Sequence, residues 1–383
     1  MSRDYYIING EVYINHEFQK NNVLLSGGKI SDISDKFYDI SEAEIVDALG
    51  MKVVPGFIDI HTHGAVGVDI NEATADDLEK ISIFAAANGT TSWLSSFLSD
   101  TREQTLNFID AFKKYKTVPQ KGANLLGIHL EGPFISSEYK GAIPECALRK
   151  SDMKLLKEYQ NYADGNIIYI TVSPEIDGVI CDIPRICAMG IKVAIGHSGA
   201  DYETAMQAIA GGASSCTHVF NAMKLIHQHY PAILGAVLES DIYCEVICDG
   251  KHVHPALVRL LLKTKGTDRV IAVTDSIMAA GLSDGKYNLG VNDIIVENGD
   301  AKLASNGIRA GSTLTQNVAL KNLLEFTDRP LEDILPLLTE NPAKMLGLFD
   351  RKGEIAEGKD ADIVLLDKNN DVIGVFVGGN KIK

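Results

Sequence analysis

Between about residue 55 and residue 350 the chain alternates short apolar runs with longer helix-like ones, and this alternation limits its folds more than any other feature. Eight runs read as strands, at 57–60, 91–95, 125–129, 167–172, 192–195, 214–217, 242–247 and 270–274. Between them lie stretches such as DDLEKISIFAAANG, SDMKLLKEYQNY, DYETAMQAIAGG and PALVRLLLKTKG. Several end in glycine, as helix C-termini often do. Strands alternating with helices predict an α/β fold with a parallel sheet, and eight of them suit a (β/α)8 TIM-like barrel. A doubly wound open sheet fits the alternation too; the positions of the polar residues favour the barrel. Residues 284–303 interrupt the pattern and read as a hairpin insertion.

The two ends of the chain are of another kind. YYIINGEVYI carries Asn9-Gly10 between apolar runs, which predicts a hairpin turn there. Gly27-Gly28 repeats the signal, and Asn369-Asn370 and Gly378-Gly379 give turns near the C-terminus. Both ends are expected to pair into one small β-sandwich domain, residues 1–54 plus 351–383, leaving 55–350 for the barrel.

With a net charge of −15 and no basic cluster, the chain lacks the footprint of a nucleic-acid binder. A small anion could still bind at a local patch or a helix N-terminus. No apolar run approaches the roughly 18 residues of a membrane helix, so no membrane is expected. The start, MSRDYYIING, has no basic stretch followed by a long apolar core, and a cytoplasmic location is expected. The six cysteines form no CxxC pair and mostly sit in apolar runs, so buried reduced thiols are expected.

Imidazoles and carboxylates stand at or just beyond the strand ends. FIDI runs into His61-Thr62-His63, LLGIHL into Glu131, KVAI into Gly196-His197, SSCT into His218 and RVIAVT into Asp275. In a barrel these C-terminal ends converge on one face. Imidazole nitrogen and carboxylate oxygen together suit Zn²⁺ and related divalent ions. Singly, each residue has a structural reading: a core histidine, a turn cap at Glu131, a helix cap at Asp275. Independent structural uses would not place all six at the same end of barrel strands. His129, on the face of Glu131, either orients a ligand through its other nitrogen or is a core histidine.

These residues carry a resemblance. VVPGFIDIHTHG resembles the first-strand signature of the amidohydrolase superfamily, and GEIAEGKDADIVLLD its usual C-terminal return to the β domain. HLEGPF, GHS, THVFNAM, DGKHVHP, VTDS and AGSTLT together are similar to one branch, the N-acetylglucosamine-6-phosphate deacetylases, over essentially the whole chain. The resemblance implies that Glu131, His197 and His218 hold the principal metal and that Asp275 is the catalytic aspartate. It implies that His61 and His63, with Glu131 bridging, can hold a second ion: one or two divalent ions per subunit, of Zn, Fe, Mn or Co type. Ala142, Asn221, Ala222 and His252 match positions around the sugar phosphate. A homodimer is implied, because the family's arginine after FNAM reaches the neighbouring subunit's substrate.

The chain departs from the family at three places. His229 occupies that arginine position, Ile143 stands where many members carry a histidine, and Arg309 replaces the leucine before the AGS turn. Arg309, with His227 or His229, could supply the missing positive charge; the alternative is a surface arginine. The expected activity is hydrolysis of the acetamide of N-acetyl-D-glucosamine 6-phosphate to D-glucosamine 6-phosphate and acetate. The alternatives are a deacetylase of N-acetylgalactosamine 6-phosphate or of an unphosphorylated acetamido sugar, and a barrel that binds without catalysis. Other amidohydrolase chemistries often bridge two metals with a carboxylated lysine on strand four, and IIYITVSPE has no lysine.

Overall fold

The computed structural model describes residues 3–38, 40 and 43–383. Eight parallel strands form the central sheet: Phe57–Asp59, Thr90–Leu98, Asn124–Glu131, Ile167–Val172, Lys192–Ile195, Ser215–Cys216, Tyr243–Ile247 and Val270–Val273. Each pairs with the next in chain order. The ring closes just beyond the ends of the first and last strands. There the Asp275 amide donates to the His61 carbonyl at 2.8 Å, and the His63 amide to the Ser276 carbonyl at 2.7 Å. Lower in this seam the Thr274 hydroxyl donates to Asp59 Oδ2 at 2.7 Å.

The strands are buried on both faces, which is why they read as apolar runs. Helices pack outside them, and each boundary has a local cause. Ala75–Ala87, for instance, starts at a capping box between Thr74 and Asp77 and stops before Gly89. Tyr202–Ala210 starts at Asp201, whose side chain accepts from the Thr204 amide at 2.8 Å. One large core, including Trp93, Phe97, Phe108 and Phe112, fills the space between helices and strands.

Both ends of the chain share one further sheet. Its eight strands are Tyr5–Ile14, Glu17–Ser26, Lys29–Ser34, Glu44–Asp47, Lys52–Pro55, Ile363–Leu366, Val372–Val377 and Asn380–Lys381. It folds over on itself around its own core. The Tyr5 and Phe376 rings lie 5.1 Å apart although two strands separate theirs in the sheet order. In a flat sheet they would stand about 14 Å apart. Gly27-Gly28 and Gly378-Gly379 form the expected turns.

The Asn9-Gly10 expectation is overturned. The strand runs on through Asn9-Gly10 with a bulge, and the chain reverses at Asn15-His16, both at positive φ. Gly10 serves a close approach instead: a Cβ there would lie 2.5 Å from Val53 Cγ2. The thiols need correction too. All six are free, but Cys146 and Cys181 are exposed and Cys187 is half-buried.

The 284–303 insertion forms a three-stranded antiparallel sheet, Gly285–Leu289, Asn292–Glu297 and Asp300–Leu303. A small apolar cluster binds it to the rim of the barrel, where Leu289, Ile294 and Val296 meet Leu98, Ile135 and Ile143. Among the described residues no helix is long and apolar enough to cross a membrane.

Candidate active site

At the C-terminal rim the backbone bends sharply to aim its polar side chains inward. His197, His218 and Asp275 each follow a barrel strand and have φ of 48°, 26° and 48°. Non-glycine residues in this region are strained by about 1–3 kcal/mol, and such strain gathers at functional sites. His61 and His63 leave the first strand on one face of the chain, and Glu131 ends the third.

Two triads result, all six side chains buried. In one, Glu131 Oε1 lies 2.9 Å from His197 Nε2 and 3.3 Å from His218 Nε2, and the two nitrogens are 3.0 Å apart. In the other, His61 Nε2 lies 3.0 Å from His63 Nε2, and Asp275 Oδ1 stands 3.6 and 3.4 Å from these nitrogens. Glu131 joins them, its Oε2 being 3.2 Å from His63 Nε2.

This donor set fits a metal cation. In a tetrahedral centre with metal–nitrogen bonds of 2.0–2.1 Å, neighbouring donors stand about 3.3 Å apart, close to the edges of both triangles. The outer nitrogens of two rings are already engaged. His197 Nδ1 donates to the Tyr139 carbonyl at 2.7 Å, and His61 Nδ1 to Glu245 Oε2 at 3.0 Å. Their Nε2 lone pairs therefore face the centre. Lone pairs this close need a proton or a metal ion against them. The Nδ1 atoms of His63 and His218 are buried without a partner.

The electrostatics agree. Burial alone would lower His63 and His218, but hydrogen bonds and charge from Glu131, with Asp275 behind, lift both to about 9. Burial would raise Glu131, yet His197, His218 and His63 hold it well below the usual carboxylate range. His61 goes the other way, pulled down to about 4 by burial despite Asp275 and Glu131. A cation entering here would displace protons from His63 and His218.

Residues 52–382 match the amidohydrolase family. The chain is 36% identical over 371 residues to an N-acetylglucosamine-6-phosphate deacetylase of Bacillus subtilis, covering 96% of this chain and 93% of the relative. It is 33% identical to the mouse protein of the same name, covering 95% and 91%. This chain belongs to the amidohydrolase family, in its N-acetylglucosamine-6-phosphate deacetylase branch. The fold agrees with solved structures of that branch. One, from Pasteurella multocida, superposes with a TM-score of 0.93 at 31% identity and 99% coverage of both chains. Another, a mutant from Mycobacterium smegmatis in complex with N-acetyl-D-glucosamine-6-phosphate, gives 0.92 at 29% identity, again with 99% of both chains covered.

A cavity of about 510 Å³ opens above the triads of this deacetylase-branch chain. His63, Glu131, His197, His218 and Asp275 line it, and His61 lies beneath them, fully buried. Ala142, Asn221, Ala222, His252 and Arg309 line it as well. The loop carrying Ala142 lies close over one triad: a Cβ on Gly141 would lie 3.4 Å from the His197 ring. His229 is the site candidate set apart. It stands in the exposed turn 224–230, outside this cavity. Ile143, where many of the branch carry a histidine, forms an apolar wall with Leu98 and Leu289.

His129 does not hydrogen-bond a triad residue. Ser96 Oγ lies 2.9 Å from its Nδ1 and Thr171 Oγ1 2.9 Å from its Nε2, and its ring packs edge-on to His61 at 4.7 Å. The outer support comes from Glu245, which the sequence reading passed over. Fully buried in the seventh barrel strand, it accepts from His61 Nδ1, the His218 amide and the Tyr169 hydroxyl. A carboxylate inside YCEVI was the available signal, since a charge within a barrel strand must find partners. Lys302 was missed too; it lines the cavity from the inserted sheet.

Proposed function

We propose that this protein hydrolyses the acetamide of N-acetyl-D-glucosamine 6-phosphate, giving D-glucosamine 6-phosphate and acetate. The observation that carries the reading is Asp275 beside two imidazole–carboxylate triads that share Glu131, at the base of one cavity.

In this reading Glu131, His197 and His218 would hold a principal metal of Zn, Fe, Mn or Co type, and His61 and His63, with Asp275 near, would hold a second. A divalent ion there supplies Lewis acidity toward the amide carbonyl and the attacking water. Asp275 is the general base, its Oδ1 pointing toward the imidazole nitrogens. It takes a proton from the water and delivers it to the amide nitrogen, because a sugar amine cannot leave as an anion. One carboxylate serving both transfers contributes about 10²–10⁴-fold. Glu245 and the Tyr139 carbonyl fix His61 and His197 so that their Nε2 atoms face the centre. Ala142, Asn221, Ala222, His252 and Arg309 surround the sugar.

The reading carries with it a cytoplasmic location and a homodimer. Leu225, Ile226 and Tyr230, all exposed beside His229, form an apolar patch that supports this reading of a dimer.

The test is acetate release from four substrates: the gluco and galacto N-acetyl sugars, each with and without 6-phosphate. The gluco 6-phosphate is expected to give the highest kcat/KM. Preference for a galacto sugar would replace the substrate, and no acetate from any of the four would overturn the activity.

A further inference from the structure

Away from the metal ligands, positive charge on the cavity wall is gathered at one corner. Lys302 and Arg309 face each other across the inserted sheet as antiparallel bridge partners, and both line the cavity. Behind them stands Asp300, which does not line it. Arg309 Nε and Nη2 donate to its two oxygens at 2.8 and 3.0 Å, and Lys302 Nζ lies 2.9 Å from Oδ2. Two cations share one carboxylate, and Asp249, the other acid close enough to act on Arg309, is engaged by His252 Nδ1 at 2.7 Å.

The arrangement fixes direction as well as charge. Asp300 is mostly buried, with 14% of its side chain exposed, and grips the guanidinium on the Nε edge. Arg309 is thereby held in place with N–H groups to spare, and lysine's ammonium likewise has three donors for one partner. His252 is held similarly. Its Nδ1 is 2.7 Å from Asp249 Oδ2, and its ring is 6% exposed in the same cavity. The wall made by Leu98, Ile143 and Leu289 offers an anion nothing, and Glu138 would repel one.

The geometry points to an anion subsite at Arg309 and Lys302, taking the phosphate of the sugar from within one subunit. This rests on the deacetylase reading above. It makes Arg309 and Lys302 specificity-determining residues and leaves His229 without a part in charge recognition inside its own cavity. A planar guanidinium held from behind is well shaped for phosphate oxygens, and a lysine adds a point charge.

Calorimetric binding of the product, D-glucosamine 6-phosphate, and of D-glucosamine to the metal-loaded protein tests the subsite without turnover. The wild type is expected to bind the 6-phosphate more tightly. Arg309→Ala and Lys302→Ala should each weaken it about ten- to a hundredfold, as for loss of a charge-assisted hydrogen bond, and weaken D-glucosamine far less. Arg309→Lys should recover part of the loss, which a purely structural role would not require. Equal binding of both sugars by the wild type, or equal weakening of both in the variants, would overturn the subsite. Acetate release with a silent Arg309→Ala would sink this inference and spare the activity. Absence of acetate release with an intact phosphate effect would do the reverse.

Discussion

Glu245 Oε2 stands 3.0 Å from His61 Nδ1, and neither side chain has any exposed surface. The carboxylate is met only by donors: the His61 ring, the His218 amide and the Tyr169 hydroxyl. It sets the tautomer of one proposed metal ligand and the backbone of another.

Replacing that carboxylate by an amide removes its negative charge and turns one acceptor into a donor, so the His61 ring and the His218 amide face a weaker, neutral acceptor. Glu245→Gln is expected to fold and to bind Zn²⁺ about 10- to 100-fold more weakly, the usual cost of losing an outer hydrogen bond to a metal ligand. Chelator competition measures this. Unchanged affinity would mean that Glu245 is only a buried core group.

Asp275→Asn keeps the size of the side chain and removes the base. Turnover should fall by about 10²–10⁴-fold or more while the principal metal is retained. Paired kcat measurement and metal analysis check both parts. A variant with near wild-type kcat would take the proton transfers away from Asp275.

The two triads predict two divalent ions per chain at saturating metal. His63→Ala removes a donor from one triad only, so elemental analysis should fall to one ion with the Glu131–His197–His218 centre retained. Loss of both ions together would show a single shared centre.

Asp360, far along the chain from these residues, gives a pH-dependent prediction. Burial pushes its carboxyl up, but Lys29, Lys352 and Arg351 pull harder and hold it at about 2. A carboxylate depressed in the folded state stabilises above its unfolded value near 4, and this stability is lost as pH falls from about 4 to 2. Asp360→Asn should therefore cost about 2 kcal/mol at neutral pH, with the difference from wild type vanishing toward pH 2. Urea unfolding across that range measures it, and a deficit that does not shrink on acidification would exclude the ion-pair account.

The barrel was legible because its strands are buried on both faces and imidazoles or carboxylates stand where the first, third, fifth, sixth and eighth of them end. All eight strands that were read overlap the observed ones to within a few residues at either end, and the seventh shows what was nevertheless lost. There, Glu245 lay inside a run taken as apolar, since a residue pointing to the barrel axis looks like any other strand position. At the Asn9-Gly10 pair the local turn signal was real but tertiary packing against Val53 used it for a bulge. Lys302 and Asp300 were invisible because their meaning depends on Arg309, which reaches them only once the inserted sheet has formed.

The closure of the barrel has a mechanical consequence. Glu131, His197 and His218 hang from strands that are laddered to neighbours on both sides. His61, His63 and Asp275 instead straddle the joint between first and last strands, tied by a few bonds around Thr62, Ser276 and Asp59. On warming, that joint is where amide protons would first trade with solvent. One half of the proposed ligand set is thus held by continuous strand ladders, and the other by the side-chain and loop bonds of a seam.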